Sequence, residues 1–397
     1  MLADAGALVA LSSTANAGIT IPAGDWTLDI GGVVNAYYTS TREKGEATAL
    51  NGASAQASQT TNNITTGLLP NYLTVSGKSR QNDLDIAFTI SIQPGAATST
   101  SGTLGSLNQR QAFLTVGDAS WGSVKFGKDL GIFASDAILN DMTLLGVGQG
   151  AAAVGNTTLG RIGAGYMYAD WKSQIAYTSP NMNGFQFTAG VTQSWDAVSN
   201  LGSFSAESDR RGGSQSAYEG KASYSWTGDV AGKVWTSFLS QKVKGVNVGG
   251  SSTTELDSTT ASAWDVGTNV NVAGLGLTGY YSKGKGIGQT FLMHDGLDAT
   301  GKKRDSKDWY LQATYSLPTA TKLGLSYGES KLEGTSVADN GSEITNEMWT
   351  VGAYHPLTKS LNLVAEYSDR QQKLEARGVG DAKYDAKTVS LGAILFF

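Results

Sequence analysis

Apolar and polar residues alternate one by one along much of the chain from Trp26 onward, as they do in a β-strand with two unlike faces. The segment 83–93 shows the pattern most plainly. Similar segments lie near residues 26–39, 68–78, 83–93, 108–117, 122–128, 166–179, 185–194, 216–226, 232–243, 261–272, 275–283, 308–316, 322–331, 346–354, 361–371 and 384–397. They number sixteen, and an even number of antiparallel strands can close into a barrel. Fourteen or eighteen strands remain alternatives, because three of the segments alternate weakly: 108–117, 122–128 and 232–243.

The alternation also assigns the two faces of the strands. The apolar set, which we expect to face outward, includes Ile86, Phe88, Phe187, Leu311 and Leu363. Their neighbours Thr89, Thr188 and Gln312 should then face inward.

The connections between these segments alternate in length. The short ones lie at 118–121, 180–184, 227–231, 273–274, 318–321 and 355–360. The long ones, such as 40–67, 195–215 and 284–307, are rich in Ser, Thr, Asn, Gly and charge. A soluble sandwich has no reason to sort its loops in this way. The pattern predicts an all-β, transmembrane antiparallel barrel with short periplasmic turns and long extracellular loops.

Aromatic residues cluster at the ends of the predicted strands. The cluster comprises Trp26, Trp171, Trp226, Trp264, Trp309, Trp349, Tyr38, Tyr281 and Tyr367. Aromatic rings with a polar edge favour the membrane interface, so these residues predict two aromatic girdles. Ordinary strand propensity of aromatic residues is the alternative explanation.

Composition narrows the choice further. The 397 residues include 51 Gly, 6 Pro and no Cys, and no window holds the roughly 18 consecutive apolar residues of a transmembrane helix. The lack of Cys rules out disulfides and thiolate chemistry. The net charge of -5 makes nucleic acid an improbable partner.

The two ends of the chain carry sorting signals. Residues 5–11 are apolar, and Ala15, Asn16 and Ala17 have the form of a cleavage site, so residues 1–17 predict a signal peptide ahead of a single barrel domain at 18–397. A basic start is missing, which suggests that Met1 lies inside a longer signal; a disordered tail is the alternative. At the other end, alternate apolar residues finish on an aromatic: Val389, Leu391, Ala393, Leu395 and Phe397. This ending is similar to the terminal signature that the outer-membrane barrel assembly machinery recognises.

Several stretches resemble the trimeric general porins of Gram-negative bacteria, of the enterobacterial, β-proteobacterial and neisserial types. They are NQRQAF at 108–113, GSVKFGK at 122–128, NDM at 140–142, GRIG at 160–163, SP at 179–180 and GF at 184–185. The resemblance implies a homotrimer of 16-stranded barrels in the outer membrane, in contact with lipid and lipopolysaccharide. Each barrel would be a water-filled channel through which ions and small hydrophilic solutes diffuse, without catalysis, cofactor or metal.

The segment 129–165 is too long for a plain connection, and it contains Ala, Ile and Leu that a solvated loop would not favour. By the resemblance it is the third long loop, folded into the lumen to narrow the pore. The implied constriction sets Arg110 and Arg161 on the wall against Asp141 on the loop. Asp136 is a further candidate acid, and Lys125 is inward by alternation.

Two positions depart from the general-porin pattern. Leu145 stands where a second loop acid is expected, and Tyr72 stands where a wall arginine often occurs. The loss of an acid leaves more positive than negative charge at the constriction. We therefore expect a weak preference for anions, although the whole chain is acidic.

Three other functions fit parts of the sequence. A substrate-specific outer-membrane channel could use inward Tyr37, Tyr72, Tyr280, Tyr310 and Tyr354 as an aromatic slide, although scattered lumen tyrosines explain them as well. An outer-membrane hydrolase would need a general base, for which the two histidines are candidates: His294 in a long loop and His355 in a short turn. A secreted adhesin would share the alternation but not the sorted loops or the terminal Phe397.

Overall fold

The computed structural model describes residues 18–48, 54–96, 107–149, 157–195, 215–243, 258–290, 293, 295–298, 300–336, 338–376 and 380–397. The predicted signal peptide at 1–17 and His294 lie outside these residues.

The described chain is almost entirely β-structure. The strands are β1 (Ile19–Ala23), β2 (Trp26–Thr48), β3 (Ser54–Thr65), β4 (Tyr72–Gln81), β5 (Leu84–Pro94), β6 (Leu107–Asp118), β7 (Gly122–Leu130), β8 (Trp171–Thr178), β9 (Phe185–Thr192), β10 (Ala217–Trp226), β11 (Val230–Val243), β12 (Thr259–Val272), β13 (Leu275–Lys285), β14 (Asp305–Ser316), β15 (Lys322–Glu333), β16 (Glu343–Pro356), β17 (Leu361–Glu375) and β18 (Ala382–Phe396). A short helix α1 (Ser135–Leu139) and a 3-10 helix (Met142–Leu145) interrupt them. Neither described helix is long and apolar enough to cross a membrane.

The strands pair antiparallel with their neighbours and close into a barrel, because β18 returns to pair with β2. On its other edge β2 pairs first with β4 and then with β3, so these two strands share one position in the wall. The short β1 pairs with the start of β2, on the same side of β2 as β18, so β1 and β18 also share one position in the wall. Within the described ranges the barrel therefore has sixteen positions, which confirms the predicted fold and strand number.

The segment 40–67 was predicted as a long loop, and this was wrong. Strand β2 continues to Thr48, and β3 pairs back along it from Ser54 to Thr65. The segment is rich in Thr, Ser and Asn and poor in apolar residues, so it lacks the alternation that marks a strand with one apolar face. Threonine nevertheless favours an extended backbone, and pairing with β2 provides hydrogen-bond partners for the backbone N–H and C=O groups of β3.

Side-chain exposure confirms the predicted faces. Leu311 is 60%, Ile90 55% and Leu363 42% exposed on the outer surface, whereas Thr89 and Gln312 are buried on the inner side. Outward aromatic residues pack in pairs, with ring centroids 5.7 Å apart for Trp264 and Tyr281, 5.4 Å for Trp309 and Tyr327, and 5.1 Å for Trp349 and Tyr367.

The C-terminus closes the barrel. The backbone N–H of Gly32 donates to the carbonyl oxygen of Phe397 at 2.8 Å, and the N–H of Phe397 donates to the oxygen of Gly32 at 3.0 Å. A side chain at Gly32 would meet the Tyr72 carbonyl oxygen at 2.2 Å, so this position requires glycine. Val389, Leu391 and Leu395 face outward, as alternation predicts. Recognition of this ending during assembly stays a prediction.

Candidate pore constriction

Residues 131–149 and 157–170, called here the inserted segment, lie between β7 and β8 in the chain and fold inside the barrel. Ala134 adopts a positive φ of 60° that turns the chain into α1. Asp141 starts the 3-10 helix, where its carboxylate accepts hydrogen bonds from the Thr143 N–H at 3.0 Å and the Thr143 hydroxyl at 2.6 Å. The prediction of a packed inserted loop is confirmed.

The far wall of the barrel holds the inserted segment by hydrogen bonds to its backbone. The Tyr310 hydroxyl donates to the Ala137 carbonyl at 2.9 Å. The Gln312 side chain accepts from the Met142 N–H at 2.7 Å and donates to the Asn140 carbonyl at 2.9 Å. Because these contacts come from β14, the segment extends across the barrel from β7.

Two buried carboxylates hold the segment at other points. Glu366 on β17 accepts from the N–H groups of Val147 at 2.7 Å and Gly148 at 2.9 Å. Glu219 on β10 accepts from the N–H of Ile132 at 2.8 Å and also contacts the ammonium group of Lys172. Buried carboxylates need such partners, since an unpaired charge in the interior is costly.

Arg161 does not lie on the wall, so its predicted placement was wrong. It lies on the returning part of the inserted segment and is fully buried. Its guanidinium donates to the Met348 carbonyl at 2.8 Å and contacts the Ser326 hydroxyl. The order of residues along the chain could not reveal this, because residues 157–170 turn back into the lumen and become part of the inserted segment.

Asp141 is also buried, and it lines neither of the two cavities described below. In addition to its contacts with Thr143, its carboxylate accepts from the Tyr166 hydroxyl at 2.8 Å. The Asp141 carboxylate is thus bonded within the inserted segment, whereas Arg110 lines the first of those cavities.

Arg110 and Tyr72 line a cavity of about 320 Å³ near the long-loop end, called here the apolar cavity. Its other described lining residues are Leu68, Leu69, Pro70, Gln93, Asn108, Gln111, Lys128, Leu130, Ile138, Leu139, Leu144, Thr157, Thr158, Leu159, Ile162, Tyr168, Asp170 and Trp171. A β-bulge opposite Ser91 and Gln93 interrupts the register of β6. The bulge turns both Arg110 and Gln111 to the buried side, which strict alternation would not allow.

Trp171 was predicted in an aromatic girdle, and the structure corrects this placement. Its ring lies 5.7 Å from the guanidinium carbon of Arg110 and lines the apolar cavity. Trp171 is the first residue of β8, directly after the inserted segment, so the packing of that segment decides its direction.

Lys125 and Asp136 line a second, charged cavity of about 100 Å³ nearer the short-turn end, called here the lysine cavity. Lys221 and Lys233 lie within 3.5 Å and 2.5 Å of the Asp136 carboxylate, and Lys125 contacts Asp129. Burial raises the pKa of Asp136, but the two ammonium groups outweigh it and hold the pKa below its usual range.

Lys221, Lys233 and Asp129 were not among the predicted constriction residues. Alternation could have placed the two lysines inside the barrel. Tyr218 and Val234 face outward, and Lys221 and Lys233 lie an odd number of positions from them on the same strands, which puts both lysines on the inner face. The two cavities share Gln111, Leu130 and Leu139, so these residues lie between them.

The inward tyrosines mostly hold the fold together. The hydroxyls of Tyr37 and Tyr310 donate to carbonyl groups of the inserted segment, at 2.7 Å and 2.9 Å. Those of Tyr354 and Tyr280 donate to Glu366 and Asp265, at 2.6 Å and 3.2 Å. Among the five, Tyr72 lines a described cavity. In the ranges that the structure describes, no group of three or more His, Asp or Glu could hold a metal ion.

A known protein family has a sequence pattern that matches this chain. The model of the Gram-negative porin family matches residues 5–373. The chain belongs to that family. It is thus a porin, a multi-pass β-barrel of the outer membrane that forms a diffusion channel. No curated protein is significantly similar to it in sequence.

Solved structures share the fold of this porin at low sequence identity. The outer-membrane channel DcaP of Acinetobacter baumannii is 17% identical with a TM-score of 0.68, covering 96% of this chain and 100% of that one. An anion-selective porin from Comamonas acidovorans is 17% identical with a TM-score of 0.61, covering 94% and 100%. OmpT of Vibrio cholerae in its trimer form is 15% identical with a TM-score of 0.55, covering 94% and 99%.

Proposed function

We propose that this porin conducts ions and small hydrophilic solutes with a weak preference for anions. The observation that carries the proposal is the charge of the lysine cavity. Among its described lining residues, the three ammonium groups of Lys125, Lys221 and Lys233 face the two carboxylates of Asp129 and Asp136. The local balance is therefore positive by one charge.

The charged residues of the apolar cavity also have a positive balance, which supports the proposed preference for anions. Among the described residues that line it, Arg110 and Lys128 are cationic and Asp170 is anionic. Selectivity follows charges along the pore wall more closely than the net charge of the molecule. Charges on exposed loops are screened beyond about 8 Å at physiological ionic strength, so the net charge of -5 does not oppose this preference.

The likeness to the Comamonas porin, which is described as anion-selective, is compatible with this proposal. A homotrimeric assembly is likewise proposed, because OmpT of Vibrio cholerae shares the fold and has a trimer form. The alternative of a substrate-specific channel with a tyrosine slide has less support, since the hydroxyls of Tyr37, Tyr310, Tyr354 and Tyr280 bond to the inserted segment or to carboxylates of the wall.

The preference can be measured as the zero-current potential of the full-length porin in a planar bilayer under a KCl gradient. The unmutated channel should favour chloride weakly. Lys221→Gln combined with Lys233→Gln removes two positive charges beside Asp136 and should shift the potential toward potassium. Lys383→Gln is the control for net charge, because Lys383 is exposed on the outer side of β18.

A channel that prefers potassium without any substitution would contradict the proposal. So would a double lysine variant whose potential moves no further than that of Lys383→Gln. In that second case the charges of the lysine cavity would have no influence on the permeating ions.

A further inference from the structure

The apolar cavity is lined by more apolar side chains than a path for hydrated ions requires. Its wall is largely aliphatic and aromatic, and its volume of about 320 Å³ lies at the lower end of the roughly 300–1,000 Å³ range of small-molecule sites. We propose that it binds a monocarboxylate with a compact apolar body, of which benzoate is the probe. This inference rests on the proposed anion-preferring channel and adds a class of preferred solute.

The carboxylate end would be recognised by Arg110. The β-bulge directs Arg110 inward, and the ring of Trp171 lies 5.7 Å from its guanidinium carbon, which limits the orientations available to it. A guanidinium can form two parallel hydrogen bonds with one carboxylate. Lys128, whose ammonium group donates to the Gln109 carbonyl at 2.9 Å, adds a second positive charge at the same cavity.

Asp170, the acid at this cavity, is committed to other partners. One carboxylate oxygen accepts from the Trp171 N–H at 2.7 Å and the other accepts from the indole N–H of Trp195 at 2.9 Å. Burial also raises the pKa of Asp170. Asp170 also acts electrostatically on Arg110, and the cavity keeps a net positive charge because Arg110 and Lys128 together outnumber this one acid among its described lining residues.

The apolar body would contact side chains from two parts of the fold. Leu68 and Leu69 come from residues 66–71, which bend inward between β3 and β4, and the inserted segment supplies Leu139, Leu144 and Leu159. The two parts are bonded to each other, since the Leu68 N–H donates to the Gly146 carbonyl at 2.9 Å. Water forms few hydrogen bonds with such a wall. An apolar ring that packs against it leaves water, and this transfer is favourable.

The neighbouring lysine cavity lacks this combination. It is smaller, and its described lining carries five charged side chains. A carboxylate leaving Arg110 past Leu139 would meet Lys125, Lys221 and Lys233 next. Binding in the apolar cavity is thus compatible with release toward the short-turn end.

The test compares benzoate with acetate, which has the same charge and almost no apolar body, as blockers of KCl conductance through the full-length porin in planar bilayers. Benzoate should block at concentrations about tenfold lower than acetate does. Arg110→Gln should weaken benzoate block about tenfold, the factor that corresponds to one hydrogen bond with a charged group. Leu159→Ser should weaken benzoate block and leave acetate block unchanged.

Heat-modifiable gel mobility identifies which variants are folded, and Leu159→Ser tests the site if Arg110→Gln fails to assemble. Equal block by benzoate and acetate in a chloride-preferring channel would overturn the inference and leave the proposed function standing. A potassium-preferring channel with Arg110-dependent benzoate block would support the inference and contradict the proposed anion preference.

Discussion

Polar side chains inside the barrel of this porin divide into two groups according to what they contact. Glu366, Glu219 and Gln312 accept backbone N–H groups of the inserted segment and so fix its position. Lys125 and Lys233 remain partly exposed in the lysine cavity, where they can act on a permeating ion. Loss of an acceptor in the first group would leave a buried N–H unsatisfied, which costs about 1–3 kcal/mol.

Asp136 lines the lysine cavity beside these lysines and gives a prediction with a pH dependence. Asp136→Asn should raise the preference for chloride, because it removes a negative charge beside Lys221 and Lys233. The pKa of Asp136 is lowered by those ammonium groups. Its carboxylate therefore stays ionised as the pH falls through about 4, the ordinary value for Asp.

The difference in zero-current potential between the unmutated porin and Asp136→Asn should thus persist from pH 7 to about 4 and close only below it. The free energy of unfolding should depend on pH in the same direction. The ion pairs of Asp136 stabilise the folded state above the unfolded pKa, and this contribution is lost as the pH falls through the lowered folded pKa. A difference that closes well above pH 4 would contradict the assignment.

At the scale of elements, two irregular segments define the pore. Residues 66–71 leave the wall between β3 and β4, and the inserted segment leaves it between β7 and β8. Inside the barrel they bond to each other, as in the 3.1 Å contact from the Thr158 N–H to the Gly67 carbonyl. The regular strands provide the wall, whereas these two segments supply most of the apolar cavity.

The strand faces can be tested by charge placement. Leu311, in the middle of β14, is 60% exposed on the outer surface, so Leu311→Arg should lower the free energy of unfolding by about 2–4 kcal/mol. Leu311→Met is the matched control and should cost less than about 1.5 kcal/mol. Denaturant unfolding in lipid vesicles, followed by tryptophan fluorescence, measures both.

An inward substitution completes this test. Thr188→Glu faces the lysine cavity and lies opposite Lys221, so it should be tolerated. Gln312 is unsuitable for the purpose, although it is also inward, because its side chain anchors Met142 and Asn140. Equal costs for Leu311→Arg and Thr188→Glu would show that the assigned faces are wrong.

At the scale of the whole molecule, closure pairs each described wall strand on both sides, so that these strands present no open edge to lipid, which provides no hydrogen-bonding partner. Closure also separates an outer surface suited to lipid from an interior that can hold polar groups. The chain can therefore be acidic overall and yet present a positive local charge to a permeating ion.

The proposed homotrimer gives a prediction at this scale. Unheated protein in detergent should migrate in gel electrophoresis as a trimer, and boiled protein should migrate as a single chain of 41.4 kDa or slightly less after removal of a signal. Chemical cross-linking in native membranes provides an independent measurement. A detergent-solubilised monomer that keeps its β-structure and forms no cross-linked trimer would contradict the proposal.

Local patterning by itself determined the strands and their faces. One apolar side facing lipid imposes a period of two, and that period is visible in the residues around Ile86, Phe187 and Leu311. Strand β3 is the exception: neither of its faces is apolar around Thr60 and Thr61, so its residues show no alternation. The length and composition of residues 129–165 were sufficient to predict a packed insertion.

Only the tertiary structure decided which charges meet. Arg161 precedes β8 and resembled a wall residue, yet the inserted segment folds back and buries it against Ser326 and Met348. Lys221 and Lys233 come together around Asp136 although 85 and 97 residues separate them from it. Alternation specifies the face on which each side chain lies, but the path of an irregular segment across the lumen depends on hydrogen bonds to distant strands. Those bonds leave no periodic trace in the sequence.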